Sequence, residues 1–245
     1  MTRALARLTW VELKLFAREP LAVVFAFAFP LVVLSVLAGI FGSEPNSDFG
    51  YAVPRDYYLA GYVGVVIACV GLIALPVHVA AYRERGILRR FRASSVPAST
   101  VFGAQVLVSF VVCVAGSAFL IALAVVAYGA ALPDAPAGAL LAFVVGTLSI
   151  LALGFLIAAL APNARAAQAL GLTLFFPMWL LSGAGPPRSI MTGAMRDIGD
   201  ALPLTHVVKA LQDPWLGRGT NGGQLALLVA ILVVVGAIGL RLARD

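Results

Sequence analysis

The chain has 245 residues, of which 62% are hydrophobic and only 11% charged, with a net charge of +6 and a mean hydropathy of +1.01. A soluble domain carries about 25% charged residues, so this composition cannot coat a globule in water and excludes a soluble enzyme or binding domain. No polar segment is long enough to form a second domain, and the expectation is one all-α membrane domain over 1–245, its basic excess a topological signal rather than a nucleic-acid footprint.

Residues 1–20 carry Arg3, Arg7, Lys14 and Arg18, which fall on one narrow arc of a helix beside a stripe of Leu8, Val11 and Leu15. They predict an amphipathic interfacial helix on the inner leaflet, interrupted on its apolar side by Glu12 and Glu19. A crossing helix needs about 20 apolar residues. By that measure the chain has six spans, at 21–41, 57–80, 101–128, 137–161, 167–184 and 224–240. Pro30 predicts a kink in the first. Tyr57, Tyr58 and Tyr62 read as an interfacial aromatic belt at the start of the second, and His78 as an interfacial residue near its end. Cys69 and Cys113 lie inside apolar runs and read as small buried hydrophobes. The stretch 186–217 is too long for a hairpin turn. It carries two helical faces, Ile190, Met191, Ala194, Met195 and Ile198, then Leu204, Val207, Val208 and Leu211 behind Pro203. Too short to cross, this pair is expected to re-enter the outer leaflet or cap the bundle.

The segment from Tyr82 to Pro97 holds five of the seventeen Lys+Arg residues. Each charge at the bilayer centre costs about 2.5–3.5 kcal/mol, so it belongs in water or among headgroups. With residues 1–20, the loop 81–100, the Arg165 turn and the tail on one side, that side has twelve basic and four acidic residues, net +8. The other side has five and seven, net −2. The positive-inside rule then puts both termini and the 81–100 loop in the cytoplasm and the 186–217 pair outside.

Several chemistries are missing from the sequence. There is no G-x-x-x-x-G-K-[ST]; the glycine-rich run Gly217–Gly223 has no lysine and no strand before it. Leu181-Ser182-Gly183-Ala184-Gly185 matches a nucleotide-cassette signature loop in spelling only, since it ends an apolar span on the outer side. No nucleophile–base cluster or metal-ligand spacing occurs, and no Asp, Glu, Lys or Arg falls within the six spans. Ion-coupled pumps use such intramembrane groups, so proton coupling is not expected; a sodium site of carbonyls and hydroxyls stays open.

The chain resembles the ABC-2 permease family, and within it the daunorubicin-resistance type of exporter permease from actinobacteria. The resemblance rests on Glu84-Arg85-Gly86-Ile87-Leu88-Arg89-Arg90-Phe91-Arg92 followed by Ser95-Val96-Pro97, on Arg18-Glu19-Pro20, and on Leu202-Pro203-Leu204-Thr205-His206-Val207-Val208-Lys209-Ala210-Leu211. It covers essentially the whole chain. Gln105 departs from it, standing where a basic residue is common, and the alanine-rich spans leave the pocket undefined.

The resemblance implies a half-transporter in a bacterial cytoplasmic membrane. Two copies, or one with a paralogue, would form a twelve-span dimer served by two copies of a separate ATPase subunit. ATP and Mg would be held by that partner, and this chain would bind no cofactor. The 81–100 loop would be the coupling helix, with Glu84, Arg85, Gly86, Leu88, Arg89, Arg90, Phe91 and Arg92 at the contact. Apolar Ile87, Leu88 and Phe91 would anchor it, and its arginines would pair with acidic groups; the same arginines could instead hold anionic lipid. Pro203, Leu204, Thr205 and His206 would form the outer re-entrant gate. Gln105, Gln168, Phe176 and Trp179 are candidates for the substrate pathway, because polar or aromatic groups there are costly unless used. The expected cargo is an amphipathic drug or lipid, with a polysaccharide or glycolipid as alternative. A stand-alone secondary transporter and a membrane-embedded enzyme or assembly factor are the competing classes.

Overall fold

The computed structural model describes residues 9–10, 13–14, 24–41, 44–86 and 98–242. These residues form helices and turns, with no strand among them. Helix α1 joins a π-turn, Val24–Ala28, to an α-helix, Phe29–Phe41. Helix α2 is one rod assembled from Pro54–Ala68, a π-helical turn Cys69–Ala74, and Leu75–Glu84. Then come α3 (Ala98–Tyr128), α4 (Pro136–Leu160), α5 (Ala164–Leu181), the short α6 (Gly193–Asp200) and α7 (Pro203–Trp215), and α8 (Gly222–Leu242). Six helices, α1 to α5 and α8, are long and apolar enough to cross a membrane. Of the expected interfacial helix only 9–10 and 13–14 are described, both helical, with the Lys14 ammonium 5.1 Å above the Trp10 ring. The remainder of 1–20 lies outside the described residues, as do 87–97 of the basic loop and 243–245 of the tail.

Local chemistry sets the helix ends. Pro54, Pro136 and Pro203 stand in the first turns of α2, α4 and α7, where a missing N–H costs nothing. The Asn163 side chain accepts from the Ala166 N–H to start α5, and Thr192 accepts from the Met195 N–H to start α6. This start corrects the expected first face of the pair. Ile190 lies in a separate 3-10 turn, Arg188–Ile190, and Met191 is extended, because the Thr192 cap fixes the helix start two residues later.

Helix α2 is the post of the bundle; every residue from Asp56 to Pro76 is buried. Its π-turn has a cause in Pro76. Proline has no N–H and its ring clashes with the carbonyl four residues back, here that of Leu72. The helix widens to a π-turn, and the carbonyls of Gly71 and Leu72 turn toward neighbouring helices. They press on Gly154 of α4 and Gly171 of α5, where a Cβ would overlap the carbonyl oxygen. The Pro30 kink expected in α1 repeats the pattern. The π-turn Val24–Ala28 precedes it, and the carbonyl of Ala26, four residues before Pro30, lies 3.2 Å from where a Cβ of Gly116 on α3 would stand.

Helix α7 wedges between α2 and α4. Gly64 on α2 leaves room for Val208 at 3.2 Å, and Gly146 on α4 for Val207 at 3.0 Å, distances taken from a Cβ placed on each glycine. Leu204, Thr205, Val207, Val208 and Leu211 are all 1% exposed or less, so α7 is part of the core rather than a cap on it. Ser149 of α4 donates to the Leu228 carbonyl of α8 at 2.8 Å, fastening the last helix. The tyrosine belt is corrected. Tyr58 and Tyr62 are 0% exposed and Tyr57 6%. They pack inside the protein on Phe41, Phe49 and Trp179 instead of facing outward. Cys69 and Cys113 are buried and unpaired, as expected.

Gly154→Ala and Gly171→Ala place a methyl group against a backbone carbonyl that cannot rotate away. Each should destabilise by about 3 kcal/mol, or about 6–12 °C in melting temperature in detergent. Gly39→Ala, with nothing within 4 Å of the new carbon, should leave it unchanged; equal effects at all three positions would show that the carbonyl contacts do not matter.

Candidate functional site

One cavity of about 270 Å³ lies between α1, α2 and the far end of α5. Val33, Leu37 and Phe41 come from α1, Tyr58 from α2, and Trp179 and Leu180 from α5; Pro186, Pro187 and Ile190 close it. The lining is apolar apart from two donors. Trp179 Nε1–H is 3.2 Å from the Tyr62 hydroxyl. The Tyr58 hydroxyl is buried with no hydrogen-bond partner among the described residues. An aromatic array backs this wall: the Phe29 ring meets Trp179 at 5.5 Å and Phe175 at 5.9 Å, both edge to face. Such a site suits an apolar or planar group.

Of the four residues expected on a substrate pathway, the structure brings two together. Trp179 lines the cavity and Phe176 packs on it at 6.4 Å, itself 41% exposed on the outward face of α5. Gln168 is half-buried about 16 Å further down α5. Gln105 on α3 is 4% exposed, its Nε2 without a partner among the described residues, and lines no part of this cavity. Phe41 and Tyr58 escaped the sequence reading because an apolar run does not reveal which of its faces meets which neighbour.

The short helices are stitched by polar contacts at the same end. Asp200 accepts from Lys209 Nζ at 2.6 Å and from Arg188 Nη2 at 2.9 Å. The Lys209 hydrogen bond, opposed by partial burial and helped by the charges of Lys209 and Arg188, holds the Asp200 carboxyl below its ordinary value of 3.8. His206 Nε2 lies 2.9 Å from the Asp200 carbonyl, which can only accept, so Nε2 carries a proton; Nδ1 faces the Gln224 side-chain amide at 2.7 Å. Gln212 donates to the Tyr57 carbonyl at 3.3 Å, and Trp215 Nε1–H to the Ala131 carbonyl at 3.0 Å. Of the expected gate residues, Leu204 and Thr205 are in the core and His206 ties α6, α7 and α8 together; Pro203 opens α7.

At the opposite end α2 runs to Glu84, four residues past the expected span. Arg83 Nη1 donates to the Ala159 carbonyl at 3.1 Å and Nη2 to the Ala161 carbonyl. Glu84 Oε2 accepts from the Ala164 N–H at 3.2 Å. Arg85 is exposed at the helix end, and Gly86, at φ +66°, turns the chain out of the helix. Leu88, Arg89, Arg90, Phe91 and Arg92 lie outside the described residues.

The sequence matches the ABC-2 type transporter family over residues 3–214. The chain belongs to that family. No curated protein matches it. The match takes in α1 to α7 up to Pro214, and hence both the cavity and the Arg83 end of this ABC-2 chain. What it holds is a multi-pass helical transporter domain; among the described residues no group of His, Cys, Asp and Glu could hold a metal.

Because the Asp200 carboxyl titrates below 3.8 in the folded protein, its stabilisation is present above that pH and lost as pH falls through the lowered value. Asp200→Asn should cost at most about 1 kcal/mol, as the group is largely solvated. The cost should be equal at pH 5 and pH 8 and shrink below about pH 4, read from paired melting curves in detergent.

Proposed function

We propose that the chain is the permease subunit of an ATP-driven exporter in a bacterial cytoplasmic membrane. It pairs with a second permease, identical or paralogous, and with two copies of a separate ATPase that holds ATP and Mg. Family membership and the segregation of charge, net +8 against −2, support this reading. On it the termini and the Arg83 end face the cytoplasm, and α6 and α7 form a re-entrant pair on the outer side. The chain itself catalyses nothing; the assembled complex hydrolyses ATP.

The observation that carries the cargo class is the cavity between α1, α2 and α5. Its apolar walls and the Trp179 face fit an amphipathic drug-like or lipid-like compound. They offer few groups to bind the hydroxyls of a polysaccharide. Such a compound would be taken from the inner leaflet and released outside, beside the short helices. The arginines at 85–92 would meet acidic groups of the ATPase, with Leu88 and Phe91 as apolar anchors.

The test is reconstitution with a candidate ATPase in liposomes, with efflux of a hydrophobic fluorescent cation and ATP hydrolysis measured together. Leu88→Ala and Phe91→Ala should each weaken ATPase binding about tenfold or more. Trp179→Ala should cut efflux at least fivefold with ATPase binding intact. Nucleotide-independent efflux by the chain alone under an ion gradient would overturn the reading.

A further inference from the structure

Arg83 and Glu84 are adjacent on the last turn of α2, yet they grip two different helices. Arg83 lies on the carbonyls of Ala159 and Ala161, at the C-terminus of α4. Glu84 lies on the Ala164 N–H, at the N-terminus of α5. Helix ends leave carbonyls and amides without intrahelical partners, and the macrodipole favours a cation at the first kind of end and an anion at the second. Each charge therefore meets its preferred terminus. Below this polar layer the helices touch through Ala80, Ala161 and Ala167, each 1% exposed or less. Only Pro162 and Asn163 separate the two gripped ends.

We propose that Arg83 and Glu84 form a clasp through which a displacement of the end of α2 is carried into α4 and α5 together. They are positioning residues. Glu84 acts inside the chain, on Ala164, and not as a docking contact for a partner. The transmission half of this proposal rests on the permease reading; the clasp itself does not.

The clasp and a docking role predict different outcomes. Hydrogen exchange of the full-length chain in nanodiscs reads the clasp directly. In Glu84→Ala, which removes the acceptor, amide exchange at Ala164 should rise at least fivefold. The Ala166 amide, held by Asn163, should change less than twofold and serves as the internal control. Arg83→Lys, which keeps the charge but loses the two-pronged grip, should loosen the 159–164 turn less than Arg83→Gln. In liposomes with the ATPase, Glu84→Ala should bind the partner within twofold of wild type while transport per ATP hydrolysed falls at least fivefold. Unchanged exchange at Ala164 with lost ATPase binding would overturn the clasp and make Glu84 a docking residue. Raised exchange with an unchanged transport-to-ATP ratio would leave a structural contact and overturn the transmission. If no ATPase supports transport by the wild type, the permease reading fails, while the exchange result still decides the clasp.

Discussion

The bundle depends on backbone carbonyls that prolines have released. Between helices in lipid there is no hydrophobic force to speak of, so association comes from close packing and from polar groups finding partners. Pro76 removes the bond that the Leu72 carbonyl would have accepted, and the π-turn exposes the Gly71 carbonyl as well. A bare carbonyl in a bilayer is costly. Gly154 and Gly171 receive the two on their Cα faces, close enough for weak C–H···O contacts. Three helices thus meet at one point, near the middle of α2, with nothing bulkier than a glycine between them. The same device at Pro30, Ala26 and Gly116 joins α1 to α3. Side-chain packing elsewhere is adjustable by comparison, because a rotamer can move where a backbone carbonyl cannot.

Around that fixed point α2 is fastened at both ends by the same dipeptide logic. Near its start, Arg55 Nη1 donates to the Tyr128 carbonyl at 3.1 Å, at the end of α3. Asp56 Oδ1 accepts from the Ala131 N–H at 2.8 Å in the turn that follows. Near its finish, Arg83 and Glu84 do this for α4 and α5. In each case the arginine takes carbonyls where one helix ends and the acid takes an amide where the chain turns back. Four charges that would be prohibitive in the middle of a span become fasteners at its rims.

The six spans, the tight turn at Pro162 and the helix behind Pro203 were legible in the sequence, because length of apolar run and position of proline report directly on backbone conformation. Facing was not legible. In a soluble helix the polar side marks the outside; here α4 and α3 are apolar all round, so no periodicity separates lipid from neighbour. Tyr57, Tyr58 and Tyr62 looked like a boundary belt for that reason, and only the placement of Phe41, Phe49 and Trp179 shows them to be core. Phe176 and Trp179, three residues apart, looked equivalent, and one faces outward while the other lines the cavity. Glu84 read as a loop residue because the apolar run ended at Ala80, whereas the helix continues on the support of its own end-to-end contacts.

Helix α5 runs from the Glu84 contact to the cavity wall. Its first residue, Ala164, is the one Glu84 holds, and Pro177 interrupts it two residues before Trp179. Pro177 cannot donate to the Thr173 carbonyl, so the helix is weakest just below the cavity wall. Between Ala164 and Pro177 lie thirteen rises of helix, about 20 Å. A rod held at its foot and softened near its top turns a small displacement at the foot into a change of angle at the top, where Trp179 and Leu180 form one wall. On the proposed clasp, a displacement at the end of α2 therefore reaches the cavity wall through α5, whose Gly171 packs on the Leu72 carbonyl midway. The outer helices are tied to α8 through His206, to the α3–α4 turn through Trp215, and to the end of α5 through Arg188, which donates to the Leu181 carbonyl and to Asp200. The cavity wall formed by Trp179 and Leu180 therefore lies between the Pro177 break and the Leu181 carbonyl that Arg188 holds.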